Sequence, residues 1–304
     1  MIADDLVVGV DVGGTNARAL IVDPGSGSVL DRVRGSSAGD GPTLAATISR
    51  LVDELRTRGH EVAAVGIGVA GLAHRSGTLR YSPNLPDVVE YPLGPEVERS
   101  VGLPVAMGND ATCATLAEHR LGAGRGVDDF ALVTLGTGIG TGFVVDGRLL
   151  RGAEGFAGES GHMVVDRDGP THHTGQVGPW EHFAAGTALD RLVGGPAADR
   201  SLPADVLDGY CGEVALGMAN LVQVLDLARV AIGGGVSAIG EPLRAGVERC
   251  LGEVLLGAAH REPVEVRLAE LGDDAGAVRN VSVRGPVLPD LRSRGGFSLL
   301  VWVE

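Results

Sequence analysis

Two apolar runs, each delivered into a glycine cluster in a chain without a single lysine, restrict the fold more than any other feature of this sequence. Leu6–Val12 leads into Gly13-Gly14-Thr15, and Phe130–Leu135 leads into Gly136-Thr137-Gly138-Ile139-Gly140-Thr141-Gly142. Valine-rich runs of this length, bounded by turn residues, read as buried strands. The residues after the second cluster, Gly142–Val145, are strand-like again, so that loop joins two strands as a hairpin. A dinucleotide fingerprint needs G-x-G-x-x-G opening a helix; here G-x-G-x-G-x-G opens a strand, which argues against a Rossmann fold. All 25 basic residues are arginine. A Walker A loop needs its lysine at the phosphates, so the P-loop fold is excluded. Schiff-base and pyridoxal-phosphate chemistry are excluded for the same reason. Backbone without side chains approaches phosphate oxygens closely, and successive amides form an anion nest. Between the two loops lies Gly108-Asn109-Asp110, whose carboxylate can take a proton from an alcohol. Together these features point to nucleotide-dependent phosphoryl transfer.

The periodicity places these loops in an α/β chain. Arg18–Val22 and Val29–Val33 read as strands around the turn Asp23-Pro24-Gly25. Thr43–Arg58 has apolar residues at helical spacing (Leu44, Ile48, Leu51, Val52, Leu55), and Val62–Val69 is a further strand. The first lobe therefore reads β-β-β-α-β. Asp110–Leu121 is expected to be helical, ending at Gly122-Ala-Gly-Arg-Gly126. After the hairpin come a helix near Cys211–Leu227, a strand at Arg229–Ile232, the triple glycine Gly233–Gly235 and a helix near Glu241–Leu256. The pattern of strand, hairpin loop, strands and helix thus occurs twice, without a repeat in the sequence itself. No low-complexity linker separates the halves, so they are expected to pack around a cleft.

A length of 304 residues suffices for two domains. A formal net charge of −14 argues against nucleic acid or an anionic membrane as partner. Cys113, Cys211 and Cys250 are far apart and form no C-x-x-C, which suits a reducing cytosol. The acidic start Met1-Ile-Ala-Asp-Asp lacks a basic, signal-like region, and no apolar run approaches transmembrane length. A cytoplasmic protein is expected.

Asp11-Val-Gly-Gly-Thr15 and Gly136-Thr-Gly-Ile-Gly140 resemble the two phosphate loops of the actin-like sugar kinases. Tyr81-Ser-Pro-Asn-Leu-Pro86, Asn109-Asp110, Gly155-Phe-Ala-Gly-Glu-Ser-Gly-His162 and Trp180-Glu181 look like the ROK family (repressors, open reading frames and sugar kinases), particularly its bacterial glucokinases. The likeness runs from about residue 5 to about 278. It implies an α/β, two-lobed actin-like ATPase (RNase H-like) fold with a central cleft. The implied small lobe is 1–118 and the large lobe 119–278, with an atypical tail at 279–304. By resemblance, Asp110 is the general base toward a sugar hydroxyl. Asn84, Asn109, Asp110, Glu159, His162 and Glu181 contact the sugar. Gly13, Gly14, Thr15, Gly136, Thr137 and Gly138 hold ATP phosphates, and Gly234 and Gly235 lie by the adenosine. Asp11 reaches Mg²⁺ through water. A homodimer or homotetramer is the family's usual assembly.

Each residue also has a local structural explanation. Asp110 can cap the helix that begins there. Asn84, after Pro83, can be a turn residue, and Glu159 and His162 a surface pair. Glu181 can be a solvated helix residue, and Gly233–Gly235 a tight turn.

Two departures from the family pattern stand out. Family members typically carry a structural zinc, held by the motif histidine and three cysteines in C-x-C-G-x-x-G-C. Here the cysteine positions hold His172, Thr174 and Pro179. Proline cannot ligate through its side chain and threonine is a poor zinc ligand, so no structural zinc is expected. Without the metal something else must orient His162; His172 or His173 is a candidate, unless the His-His pair simply lies in a solvated loop. The second departure follows Val278, where Gly285-Pro286, Pro289 and Gly295-Gly296 break the expected helix and the chain ends in Phe297-Ser-Leu-Leu-Val-Trp-Val-Glu304. That switch suggests an altered reading frame near codon 279.

The sequence thus points first to an ATP-dependent hexose kinase, most simply one acting on glucose; kinases of N-acetylmannosamine, fructose and allose share most of the contact set. A catalytically weak or inactive sugar sensor of the same fold is the alternative. Only five residues precede the first strand, which leaves no room for a helix-turn-helix. A polyphosphate-dependent kinase would need a basic groove, which the charge disfavours.

Overall fold

Each glycine cluster follows the central strand of a five-stranded sheet, and the two sheets share one topology. The computed structural model describes residues 6–24, 27–195 and 202–271. The first sheet combines β1 (Leu6–Val12), β2 (Asn16–Val22), β3 (Val29–Ser36), β4 (Val62–Val69) and β7 (Val105–Asn109) in the order β3-β2-β1-β4-β7. The second combines β8 (Phe130–Leu135), β9 (Ile139–Val145), β10 (Arg148–Leu149), β11 (Arg229–Gly233) and β12 (Glu265–Leu268) in the order β10-β9-β8-β11-β12. In both, three antiparallel strands come first in sequence and two parallel strands complete the sheet. Parallel neighbours need a crossover, usually a helix. Helices α1 (Gly41–Thr57) and α2 (Leu93–Val101) supply it in the first sheet, and α6 (Ala204–Leu225) and α7 (Glu241–Val254) in the second. A short hairpin of β5 (Leu72–Ala73) and β6 (Leu79–Tyr81) lies between β4 and α2.

The chain divides into two compact units. Among the described residues, the first contains those up to Cys113 and takes back Gly152–Phe156; the second contains Ala114–Arg151 and those from Ala157 to Leu271. The first core gathers Leu44, Ile48, Leu51, Val52 and Leu55 of α1 against β1, β2 and β4, as the helical spacing requires. Helix α1 begins two residues before Thr43 because the Asp40 side chain accepts Thr43 N–H at 3.0 Å and Pro42 stands in the first turn. The second core surrounds Trp180, Tyr210 and Phe143. Helix α6 starts at Ala204, earlier than expected, since buried Tyr210 anchors its first turns by donating its hydroxyl to Ala184 C=O at 2.7 Å. No helix among the described residues is long and apolar enough to cross a membrane. Gly25 and the tail at 279–304, singled out above, lie outside the described residues.

Candidate active site

In the first unit, the β1–β2 turn is held from beneath. Gly13 N–H donates to Asn16 C=O at 3.0 Å. The fully buried Ser37 donates its hydroxyl to Gly13 C=O at 2.6 Å, and its own N–H to Thr15 C=O at 3.1 Å. Two carbonyls of the loop are thereby turned toward Ser37, a role no motif signalled. A Cβ on Gly14 would stand 3.1 Å from Asn84 C=O, a tight contact. The exposed Asn84 therefore lies against the first glycine loop.

Asp11 sits opposite Arg18 in the β1–β2 register, and the two side chains pair at 3.0 Å. Burial raises the Asp11 carboxyl above its usual range and the charge of Asp110 adds to this, while Arg18 opposes both. Arg18 was not singled out from the sequence; the hairpin register would have found it.

Asp110 is not the cap of its helix. Strand β7 ends at Asn109, whose Oδ1 accepts Thr112 N–H at 3.1 Å, so Asn109 caps α3 (Asp110–Leu121). The Asn109 amide group donates to Gly71 C=O at 3.2 Å. Gly71 must be glycine: its φ is +114°, and a Cβ there would meet Tyr81 C=O at 2.2 Å. Asp110 is left in the first helical turn, its Oδ1 accepting the adjacent Ala111 N–H at 2.9 Å. Burial raises its carboxyl above the ordinary carboxylate range, against the pull of that N–H. A carboxylate kept poorly solvated in this way is basic enough to accept a proton.

In the second unit, the 136–138 loop is fixed by its carbonyls. Gly136 C=O accepts Gly186 N–H at 2.7 Å, and Thr137 C=O accepts the Thr187 hydroxyl at 3.1 Å, both from the start of α5 (Gly186–Val193). Gly234 follows β11 at φ +76°, where a Cβ would strike Leu135 C=O at 2.6 Å, and Gly235 opens a one-turn 3₁₀ helix. That geometry is the tight turn; nothing in it identifies a ligand.

Glu159 and His162 flank a 3₁₀ turn over Ser160–His162, seated on β9 through Thr141, whose hydroxyl donates to Gly158 C=O. Both side chains are exposed, with Oε2 and Nε2 3.9 Å apart. Backbone bonds Trp180 N–H to Met163 C=O (2.7 Å) and Val165 N–H to Gly178 C=O (2.9 Å) bring this turn beside α4 (Trp180–Ala184). The Trp180 ring is fully buried on Gly217, where a Cβ would come within 2.0 Å of it, and its Nε1 donates to Glu213 C=O. With Trp180 locked, Glu181 is directed at the second glycine loop. Its Oε2 accepts Ile139 N–H at 2.7 Å and would overlap a Cβ on Gly138. Glu181 is thus not a solvated helix residue.

The His172-His173 stretch is not a solvated loop throughout. His173 is exposed, but the His172 side chain is only 10% exposed and its Nε2 lies 3.4 Å from Glu181 Oε1. Burial lowers the His172 pKa, with His173, His162 and His182 acting in the same sense and Glu181 opposing them. The His162 backbone is held by Gln176, whose Nε2 donates to the His162 C=O at 2.6 Å. The donor set does not fit a structural zinc. Pro179 is buried without a donor, Thr174 bonds His172, and among the described residues no three His, Cys, Asp or Glu side chains are arranged to hold a metal ion.

The ROK family profile matches residues 7–283. A glucokinase of Streptomyces coelicolor is 32% identical over 305 residues, spanning 90% of this chain and 95% of that protein. A glucokinase of Thermotoga maritima is 33% identical over 316 residues, spanning 91% and 96%. Among solved structures, a ROK family glucokinase from Streptomyces griseus, in complex with glucose and AMPPNP, matches with a TM-score of 0.76 at 34% identity, covering 90% of this chain and 97% of that one. With glycine loops, sheet topology and sequence in agreement, the chain belongs to the ROK family and has the actin-like ATPase fold.

Proposed function

We propose that this protein is an ATP-dependent hexose kinase that transfers the γ-phosphoryl group to a sugar hydroxyl, with glucose the leading acceptor and Asp110 the general base. The observation that carries the reading is the state of Asp110: capping is done by Asn109, and burial keeps the carboxylate basic. As the hydroxyl oxygen attacks phosphorus, Asp110 takes its proton, an assistance worth roughly 10²–10⁴ in rate. The rest of the reaction depends on position and charge neutralisation. Gly13, Gly14 and Thr15, held by Ser37, and Gly136, Thr137 and Gly138, held by α5, are assigned to the phosphates. Gly234 and Gly235 are assigned to the adenosine side. Mg²⁺ fits the donor chemistry of the first unit, where Asp11 would hold it through water; when bound it neutralises phosphate charge. Asn84, Asn109, Glu159, His162 and Glu181 are assigned to the sugar hydroxyls: glutamate accepts, histidine does either, and asparagine does both. The glucokinase relatives support glucose among the hexoses.

A second reading, a sugar-binding protein with little turnover, is favoured by one observation: His172, Thr174 and Pro179 stand where the family's metal ligands are expected. Incubation with Mg-ATP and a panel of hexoses, followed by ADP release, separates the two. The kinase reading expects turnover with glucose that Asp110→Asn abolishes while glucose binding persists. Binding without turnover in the unaltered protein would select the sensor.

A further inference from the structure

Two of the three residues that stand at the expected metal-ligand positions, His172 and Thr174, touch each other, and His172 faces Glu181. We propose that Thr174 and His172 form a metal-free positioning relay that aims the Glu181 carboxylate at the sugar. This rests on the reading above that Glu181 contacts the acceptor.

The geometry leads from the surface inward. Thr174 Oγ1 is 3.1 Å from His172 Nδ1. His172 Nε2 is 3.4 Å from Glu181 Oε1, and Glu181 Oε2 takes Ile139 N–H at 2.7 Å. The relay assigns the hydrogen to Nε2, which faces an acceptor-only carboxylate, and leaves Nδ1 to receive the threonine hydroxyl. Glu181 Oε1 then faces the relay at ion-pair distance, and Oε2 is hydrogen-bonded to the second glycine loop.

The loop carrying the relay is itself closed. His172 N–H donates to Gln176 C=O at 2.7 Å, Gly175 N–H donates to His172 C=O at 2.9 Å, and Thr171 and Val177 form a β-bridge. The same loop reaches the other sugar-site segment through Gln176 and the His162 carbonyl. The single turn closed by Thr171 and Val177 thus restrains both the His162 backbone and Glu181, the task a tetrahedral metal performs elsewhere by cross-linking loops. Thr174 and His172 therefore act through Glu181 and touch no substrate themselves.

The test combines binding, kinetics and a direct observation of the imidazole. His172→Ala is expected to raise the hexose Kd and KM by about 10–100-fold, the usual cost of losing the partner of a binding group, with the ATP KM within about threefold, the ordinary scatter of an unrelated site. His172→Gln, which can return an N–H toward Glu181, is expected to recover most of the loss, and Thr174→Val to fall between. The relay is overturned if all three variants bind hexose as the unaltered protein does, or if Gln recovers nothing. Should the unaltered protein neither bind nor phosphorylate a hexose, the kinase reading fails, and the relay is judged by nitrogen-15 NMR of His172. The Nε2–H tautomer with an accepting Nδ1 is expected, converting in Glu181→Gln to a mixed population; an Nδ1–H tautomer overturns it. One equivalent of zinc in the pure protein overturns it as well.

Discussion

Replacing Asp110 with asparagine should remove activity and add stability. Asparagine keeps the oxygen that accepts Ala111 N–H and occupies the same volume, so the helix start capped by Asn109 is undisturbed. It removes only the charge. Loss of general-base assistance is expected to lower kcat by roughly 10²–10⁴, equivalent to about 3–5 kcal/mol of transition-state stabilisation. The stability change has the opposite sign. The folded-state pKa lies above the unfolded value because burial disfavours the charged form. The native state then binds the proton more tightly, so this group's contribution is most favourable below the unfolded pKa and declines as pH rises through the folded one. At neutral pH the ionised Asp110 is a net cost. Removing the charge forfeits about 0.3–1 kcal/mol of attraction to the helix N-terminus, and the remaining gain is on the order of 1 kcal/mol, as is usual when a group retained for function is relaxed. A gain of that size moves Tm by about 2–4 °C in a protein of this length. Thermal unfolding at neutral pH and initial rates with saturating Mg-ATP and glucose measure the two effects. An Asp110→Asn protein that is less stable than the original, or that retains activity within tenfold, refutes the assignment of a buried, costly, catalytic carboxylate.

Other expectations follow from the same geometry. The acid limb of kcat/KM against pH should lie above the ordinary aspartate range, because Asp110 must be ionised to accept a proton and burial raises its pKa; a limb at the ordinary value removes Asp110 as the base. Ser37→Ala strands the half-buried Gly13 carbonyl and should cost about 1 kcal/mol by urea unfolding, with the ATP KM rising several-fold and hexose affinity unchanged; equal loss of both would show general damage instead. Glu118 is 3% exposed and accepts the N–H groups of Ala123 (2.8 Å), Glu270 (3.2 Å) and Leu271 (2.8 Å). Truncation to alanine orphans all three and is expected to destabilise by about 3–5 kcal/mol, and a loss below 1 kcal/mol by urea unfolding would mean that water replaces the carboxylate.

The strands that frame both glycine loops were legible because they are central and buried on both faces, so Leu6–Val12 and Phe130–Leu135 had to be almost wholly apolar. Helix α1 was legible from its apolar stripe, and the hairpin from the strand pattern resuming at Gly142–Val145, which the structure extends back to Ile139. Strands β5 and β6 were not, being two and three residues long, and neither was α2, whose nine residues carry Pro95 in the first turn. At the site, residue types pointed to Asp110, Glu181 and the loops, but not to how they are held. Which residue caps α3 depends on where β7 stops, a one-residue question that periodicity does not resolve. Ser37, Gln176 and Arg18 act across the fold, Ser37 on a loop more than twenty residues earlier, and only strand register or a closed turn brings them into reach.

The shared topology of the two sheets explains why the proposed phosphate and acceptor roles are assigned to different kinds of segment. Each central strand, β1 and β8, opens into a hairpin, and each following parallel strand, β4 and β11, leads to a left-handed glycine pressed against backbone, Gly71 or Gly234. Backbone features are therefore duplicated with the fold. The side-chain chemistry is not. Between β3 and β4 the first unit has only α1, whereas between β10 and β11 the second inserts the Glu159–His162 turn, the 171–177 loop, α4 and α5 before α6. Glu159, His162, His172 and Glu181 all belong to that insertion, and Asp110 to the β7–α3 junction. Placing His172, Thr174 and Pro179 at the expected metal-ligand positions therefore alters a segment on which neither sheet depends for its strand pairing. On the assignment proposed above, both glycine loops are kept and what changes is how firmly Glu181 is aimed.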